Sequence, residues 1–340
     1  MLKPSRTELS SLYDLIMLDL DGVVYIGPRA VPGAPEHLGR ARDAGAHLAF
    51  VTNNAARPPE AVADHLTRLG VMADAADVVT SAQAAARLLT ELVRPGAPVL
   101  LMGGPGVELA LHERGFEPVT ELEGHPEAVV SGYGPDLMWK QLMLGAVQIR
   151  DGLPWVASNA DMTIPTDYGI GPGHGVVVKM LRDFSGKTPA IAGKPERPLL
   201  DETVSRVGGE HPLMVGDRLD TDILGAHNAD VDSLLVLTGV TGLGELVAAK
   251  PEERPTYLAS DLAGLLQVHP DVEQSGDTWA VGGWQGTVQD GALVITGQGS
   301  IDDWWRCVAS VAWDHHDRRG QVVETAGLAP GMSAATSQGR

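Results

Sequence analysis

From Asp14 to about Asp77, short apolar runs alternate with amphipathic ones: LIMLDLD (15–21), PEHLGRARDAG (35–45), HLAFVTNN (47–54) and PPEAVADHLTRLG (58–70). The pattern predicts strand, helix, strand, helix, and a βαβα order implies a parallel sheet. Pro58 and Pro59 suit the start of the second helix and Gly70 its end. Thr52 and Lys194 stand 142 positions apart, far more than one crossover needs. The residues between them carry their own alternation: strands at PVLLMGG, EAVVSGY and PWVASNA, with helices at ELALHERG and from Leu137 to Ile149. This predicts an inserted α/β domain that acts as a lid.

The parallel pattern resumes with AIAGKPERP, a helix through Val204, PLMVGDRLDTD, a helix from Ile223 to Asn228, and SLLVLTG. That reading returns the chain to the first sheet, which closes near Gln267 after TYLASDLAGLL. Five of the seven Trp residues then fall between Trp279 and Trp313, so the tail reads as a separate region. Residues 278–297 predict a hairpin turning at Asp290-Gly291, followed by a helix capped by Ser300, with Asp302 and Asp303 in its first turn. Ile301, Trp304, Trp305, Val308 and Val311 would share its apolar face. The expected organisation is therefore a core of 1–80 and 190–267, an insertion of 81–189, a Trp-rich α+β region of 268–326 and a disordered end, 327–340. Deletion after Gln267 should leave the chemistry of the core intact.

At 340 residues and 44% hydrophobic, the chain exceeds what one core usually supports. A net charge of −19 argues against nucleic acid and against anionic membrane, both of which need a cationic surface. A small phosphorylated metabolite stays compatible, because one local cation can dominate a recessed site. Cys307 is the single cysteine, so no internal disulfide forms and the cytoplasm is the expected compartment. Nothing reads as a signal segment or an apolar span of about 18 residues. A homo-oligomer is left open.

Chemistry-bearing residues close the apolar runs: Asp19-Leu20-Asp21-Gly22, Thr52-Asn53, Lys194, and Gly216-Asp217 with Asp222. Each alone would suit a turn or a helix cap. Together, at the carboxyl edge of one sheet where open α/β folds bind ligands, they read as one phosphoryl-transfer site. A phosphate dianion repels an anionic nucleophile by roughly 4 kcal/mol at about 4 Å and an effective dielectric near 20, so a carboxylate attacks phosphorus only where cations cancel that field. Asp19, a backbone carbonyl near Asp21, and Asp217 form an oxygen-rich set suited to Mg²⁺ rather than zinc. Asp19 would be the nucleophile, forming an aspartyl-phosphate, and Asp21 the acid and then the base. Thr52, Asn53 and Lys194 would hold the transferring oxygens, and Asp222 would orient metal-bound water.

The segments DLDGVVY, VTNNAARP, GKPERP and MVGDRLDTDI resemble the haloacid dehalogenase-like (HAD) phosphatase superfamily and, through the large insertion, its class IIA cap subgroup. The resemblance implies a doubly wound, mostly parallel Rossmann-like core with an inserted α/β cap. It implies a Mg²⁺-dependent phosphoric monoester hydrolase with Asp19 as nucleophile, Asp21 as acid/base, and Asp19, Asp21 (by its carbonyl) and Asp217 as metal ligands. Within the subgroup the chain looks most like the glycerol 3-phosphate phosphatases that carry an extra carboxyl-terminal region. The substrate this implies is glycerol 3-phosphate, with 2-phosphoglycolate or a broad 4-nitrophenyl phosphate-type range as the alternative.

In the insertion, Ser158-Asn159-Ala160-Asp161 resembles the subgroup's Thr-Asn-x-Asp. Asn159 and Asp161 either contact substrate or make an Asx turn. In the tail, Gly297-Gln298-Gly299-Ser300 only partly echoes the coenzyme A cradle of acetyltransferases, since Val294 stands where Gln or Arg belongs. A packing or interface role suits the Trp-rich helix better. His315 and His316 point apart on a helix, which disfavours a metal site there. A dehalogenase would not need Asp21, a pump would carry Lys-Thr after its aspartate, and a mutase cap usually enters before Thr52. A regulatory protein that only senses phosphate ligands is the non-enzymatic alternative.

Overall fold

The structure is a computed structural model that describes residues 1–166 and 168–333. The chain divides into two compact units, Met1–Leu48 with Leu69–Val71 and Gly209–Arg340, and Ala49–Arg68 with Met72–Gly208.

In the first unit the strands Tyr257–Ala259, Asp232–Val236, Pro212–Gly216 and Leu15–Leu18 lie side by side in that order, all parallel. Leu15–Leu18 is buried along its whole length, as a strand covered on both faces must be, which is why these strands read as unbroken apolar runs. Register sets the exits: Leu18 faces Val215, and Gly216 faces Leu235. The chain enters the second unit at Ala49, within the strand His47–Thr52.

The tail belongs to this unit and does not stand apart. An antiparallel sheet of Glu273–Ser275, Thr278–Val281, Trp284–Gln289 and Ala292–Gly297 replaces the single hairpin expected. The expected turn is there: Asp290 and Gly291 both have positive φ, 50° and 84°, the geometry of a two-residue hairpin loop. The helix Ile301–Arg319 is capped by Ser300, whose Oγ accepts from Asp303 N at 3.1 Å. Every residue from Trp304 to Trp313 is buried, whereas Ile301, placed on the apolar face from the sequence, is 46% exposed. The polar members of that stretch are satisfied internally, Arg306 Nε donating to Leu258 O at 2.9 Å and Ser310 Oγ to Arg306 O at 2.7 Å. One core cluster joins Trp304, Val308 and Trp313 to Leu235, Leu246 and Leu258 of the parallel sheet and its helices. At Gly286 a Cβ would come within 2.6 Å of Val311 and 3.0 Å of Cys307, so only glycine lets helix and sheet approach this closely.

The cradle-like turn is filled from within, since a Cβ on Gly297 would lie 2.2 Å from Gly283 O and one on Gly299 3.0 Å from the Trp284 indole. Residues 327–333, read as disordered, are tied down: Trp304 Nε1 donates to Met332 O at 3.0 Å, Gly297 N donates to Ser333 Oγ at 3.2 Å, and Leu328 packs on the core. The rest of that segment, 334–340, lies outside the described residues.

In the second unit Phe50–Thr52 pairs in parallel with Val78–Thr80. The helix Pro59–Arg68 runs where its prolines place it, and Gly70 follows with φ +86°. A further parallel sheet runs in the order Ala190–Ile191, Trp155–Ala157, Ala128–Ser131, Pro98–Met102, Glu117–Val119. Its core unites Met102, Val129, Ile149, Trp155 and Leu181. The two-residue strand Ala190–Ile191, expected to rejoin the first sheet, pairs instead with Val156 and Ala157 of this one. So short a run carries no period from which a partner can be read.

Two buried histidines make the fold acid-sensitive. His174 lies 3.1 Å from Ser131 Oγ, and the His269 Nε2–H donates to Gly264 O at 2.9 Å while its Nδ1 accepts from Arg306 at 3.2 Å. Burial pushes each down to about 4, with the Arg306 charge adding to the effect at His269. The unfolded chain therefore binds protons near pH 6.5 that the native one refuses, so stability is full above that pH and falls as pH drops toward 4. Each imidazole should remove roughly 3 kcal/mol over that window. Urea unfolding at pH 7.5 and pH 5.0 checks this, and equal midpoints would contradict it.

Candidate active site

Asp19 and Asp217 leave adjacent parallel strands at the same end, and Asp19 N donates to Val215 O at 2.9 Å. The wide turn Leu219–Ile223 then brings Asp222 back. Among the described residues, Asp19, Asp217 and Asp222 form a group whose carboxylate oxygens lie within 4.8 Å of one another. Three such charges repel by about 3 kcal/mol per pair at an effective dielectric near 20, so the arrangement calls for a cation.

Hydrogen bonds hold the acids in place. Asp222 Oδ2 accepts from the amides of Asp217 (3.2 Å) and Arg218 (3.1 Å), and Asp217 Oδ2 accepts from Val240 N at 2.6 Å. The Asp217 carbonyl accepts from Thr241 Oγ1 at 2.6 Å. Backbone closes in around Asp217 as well, since a Cβ on Gly239 would stand 1.9 Å, and one on Gly22 2.5 Å, from its Oδ2. Gly22, at φ +86°, also ties the first loop down: its N donates to Tyr25 O at 2.8 Å and its O accepts from Thr238 Oγ1 at 2.5 Å. The Asp21 side chain beside it is exposed. An all-oxygen donor set fits a hard divalent cation that prefers carboxylate and water, and it fits zinc poorly.

The second unit holds the other expected residues, and it binds most of them to one another. Thr52 is buried, and its hydroxyl accepts from Asn54 N at 3.1 Å, leaving its own proton to donate. Asn53 Oδ1 accepts from Lys194 N at 2.8 Å while its Nδ2 donates to Lys194 O at 2.9 Å. The same Nδ2 donates to both carboxylate oxygens of Asp161, at 3.1 and 3.2 Å. Asn159 Nδ2 donates to Asn53 O at 2.7 Å, and its Oδ1 accepts from Asp161 N at 3.1 Å, which is the Asx turn. Lys194 is 2% exposed. It follows the edge strand Ala190–Ile191 of the second unit's parallel sheet.

Other contributors escaped the sequence reading. Val240 and Thr241 hold Asp217, and their segment too follows an apolar strand, Asp232–Val236, which was the available signal. Ser81 donates its Oγ to Asn53 O at 2.6 Å. Gly193 leaves room for Asn53, whose Oδ1 would lie 2.6 Å from a Cβ there.

Fold and acidic trio together describe an α/β enzyme that works through a hard divalent cation. A haloacid dehalogenase-like hydrolase model matches residues 16–117, and a HAD-hydrolase-like model matches 191–265. The D-glycerol 3-phosphate phosphatase of Mycobacterium tuberculosis is 41% identical over 314 residues, covering 89% of this chain and 86% of that protein. An acid sugar phosphatase of Staphylococcus saprophyticus is 33% identical over 257 residues, 75% of this chain and 97% of the relative. A crystal structure of a glycerol phosphate phosphatase from Mycobacterium tuberculosis in complex with magnesium superposes with a TM-score of 0.83 at 40% identity, covering 91% of this chain and 92% of that one. The chain belongs to the haloacid dehalogenase-like hydrolase family, and these relatives are phosphatases. No described helix is long and apolar enough to cross a membrane.

Proposed function

We propose that this protein is a Mg²⁺-dependent phosphatase that hydrolyses glycerol 3-phosphate to glycerol and phosphate, with 2-phosphoglycolate as the second candidate substrate. The observation that carries the chemistry is the grouping of Asp19, Asp217 and Asp222 within 4.8 Å. The substrate rests on similarity that runs through the tail: the glycerol 3-phosphate phosphatase matches 89% of this chain, whereas nearly the whole acid sugar phosphatase is used up on 75%.

In this reading Asp19, the Asp21 carbonyl and Asp217 would hold the cation, and Asp222 would orient its water. When bound, the ion screens the phosphate dianion and the nucleophile from each other. Asp19 attacks phosphorus, a carboxylate O–P bond forms, and the bond to the glycerol oxygen breaks. Asp21 gives that alkoxide a proton. It then takes one from the water that cleaves the aspartyl-phosphate, which restores Asp19 and releases phosphate. Thr52 donates its hydroxyl to a phosphoryl oxygen, and Lys194 supplies the fixed positive charge. The inserted segment 81–189 serves as the cap that selects the alcohol, and the cytoplasm, where a lone thiol stays reduced, is the compartment.

A panel of phosphorylated metabolites ranked by kcat/KM tests the substrate. Glycerol 3-phosphate should lead 2-phosphoglycolate by about tenfold, the scale of modest pocket discrimination, and the reverse order would transfer the assignment. Excess EDTA should lower the rate by at least about 100-fold, with recovery on adding Mg²⁺. An undiminished rate in EDTA would refute the role given to the cation.

A further inference from the structure

Asn53 was expected to bind phosphate, yet its side chain is already committed. An amide offers two N–H donors and one carbonyl oxygen. One donor goes to Lys194 O (2.9 Å), the other is shared by the two oxygens of Asp161 (3.1 and 3.2 Å), and the carbonyl takes Lys194 N (2.8 Å). No side-chain donor remains for a phosphoryl oxygen. Its backbone carbonyl is equally engaged, accepting from Ser81 Oγ at 2.6 Å and Asn159 Nδ2 at 2.7 Å.

Both segments that Asn53 joins are pressed into place. Gly193 has no room for a Cβ between Asn53 Oδ1 (2.6 Å) and Ser158 O (2.8 Å). The start of the helix His174–Ser185 clamps residues 160–161 as well: Gly175 N donates to Asp161 O at 2.8 Å, and a Cβ on Gly175 would stand 2.1 Å from Ala160 O.

We propose that Asn53 is a positioning residue, and that Asp161 acts on the reaction through it. The Asn53 amide clips both main-chain polar groups of residue 194, fixing the root of a long, flexible lysine stem. The Asp161 carboxylate holds that amide in the one rotamer that can do so. An ammonium is a point charge on four rotatable bonds, so its value in a transition state depends on where its stem begins. The inference rests on the phosphatase reading and replaces a phosphate contact by the Asn53 side chain, and a direct substrate contact by Asp161, with a relay to Lys194.

The test uses the full-length protein with Mg²⁺ and 4-nitrophenyl phosphate, so it does not depend on the natural substrate. Asn53→Ala and Asp161→Ala should each lower kcat by about 30-fold with KM changed less than about threefold, the penalty of a displaced rather than a missing group. The double variant should fall no more than about threefold below the worse single one, because both act through one link. Asp161→Asn keeps an acceptor for the Asn53 amide and should recover about tenfold of the kcat lost in Asp161→Ala.

Multiplying losses in the double variant would overturn the proposal. So would Asp161→Asn no better than Asp161→Ala, or an effect of Asn53→Ala confined to KM. A purely structural role would lower the melting temperature while leaving kcat per folded molecule unchanged, and that too would overturn it. Should Asn53→Ala fail to fold, the two Asp161 variants decide the matter, since Asp161 is only half-buried. A wild-type protein inactive on every phosphate monoester would instead refute the phosphatase reading, before any variant is made.

Discussion

Asp19→Asn is expected to lower kcat by a factor on the order of 10⁴ or more, the scale seen when a covalent nucleophile is removed from a set that acts as a unit. The substitution keeps the shape of the side chain but replaces a carboxylate oxygen with a neutral amide, which cannot form the aspartyl-phosphate. Substrate should still bind, because Thr52, Lys194 and the loop around Gly22 are untouched. A second effect should run the other way. Asp19 shares a 4.8 Å group with Asp217 and Asp222, and removing one of three mutually repelling charges should stabilise the metal-free protein by about 1 kcal/mol, after allowing for the partial exposure of Asp19. Steady-state rates, substrate binding and urea unfolding in EDTA together check both. Activity close to wild type would rule out attack by Asp19.

Trp313→Ala should cost about 3–5 kcal/mol of stability, the usual penalty for emptying a core site of this size. Trp313 is 0% exposed, its indole N–H donates to Leu246 O at 2.7 Å, and the Arg254 guanidinium lies 5.5 Å over the ring. Arg254 in turn makes two bonds of 2.7 Å to Asp317, so one substitution loosens the helix end, the cation and a buried carbonyl together. Against a total stability of about 5–15 kcal/mol, the loss is a large fraction. Deletion after Gln267 goes further, because it strips the cover from Leu235, Leu246 and Leu258. It is expected to give an aggregating chain, not the trimmed active core that the composition shift at Trp279 suggested. A melting temperature for Trp313→Ala within a degree or two of wild type would contradict this account, as would a soluble, active 1–267 fragment.

The strand that delivers Asp19 and the strand that delivers Asp217 were legible because burial on both faces leaves unbroken apolar runs, and an acid at the end of such a run stands out. Pro58, Pro59 and Gly70 bounded their helix, and Asp290-Gly291 its hairpin, because those residues act through their own backbone torsions and need no distant partner. Partners across the chain were not legible. Nothing within Ala190–Ile191 tells that it pairs with Trp155–Ala157, since two residues carry no period.

The Asn53 side chain looked free for phosphate because an amide beside Thr52 has spare donors in one dimension. Lys194, 141 positions away, takes one of those donors, and Asp161 takes the other. By itself, then, the sequence determined the family, the acidic residues and the local geometry that presents them. Only the tertiary structure decided that the Trp-rich helix closes the core of the first unit, and that Asn53, Asp161 and Lys194 are one connected group. The physical reason is that torsional preferences and burial periods are local properties, whereas hydrogen-bond capacity and packed volume are shared among segments that only the folded chain brings together.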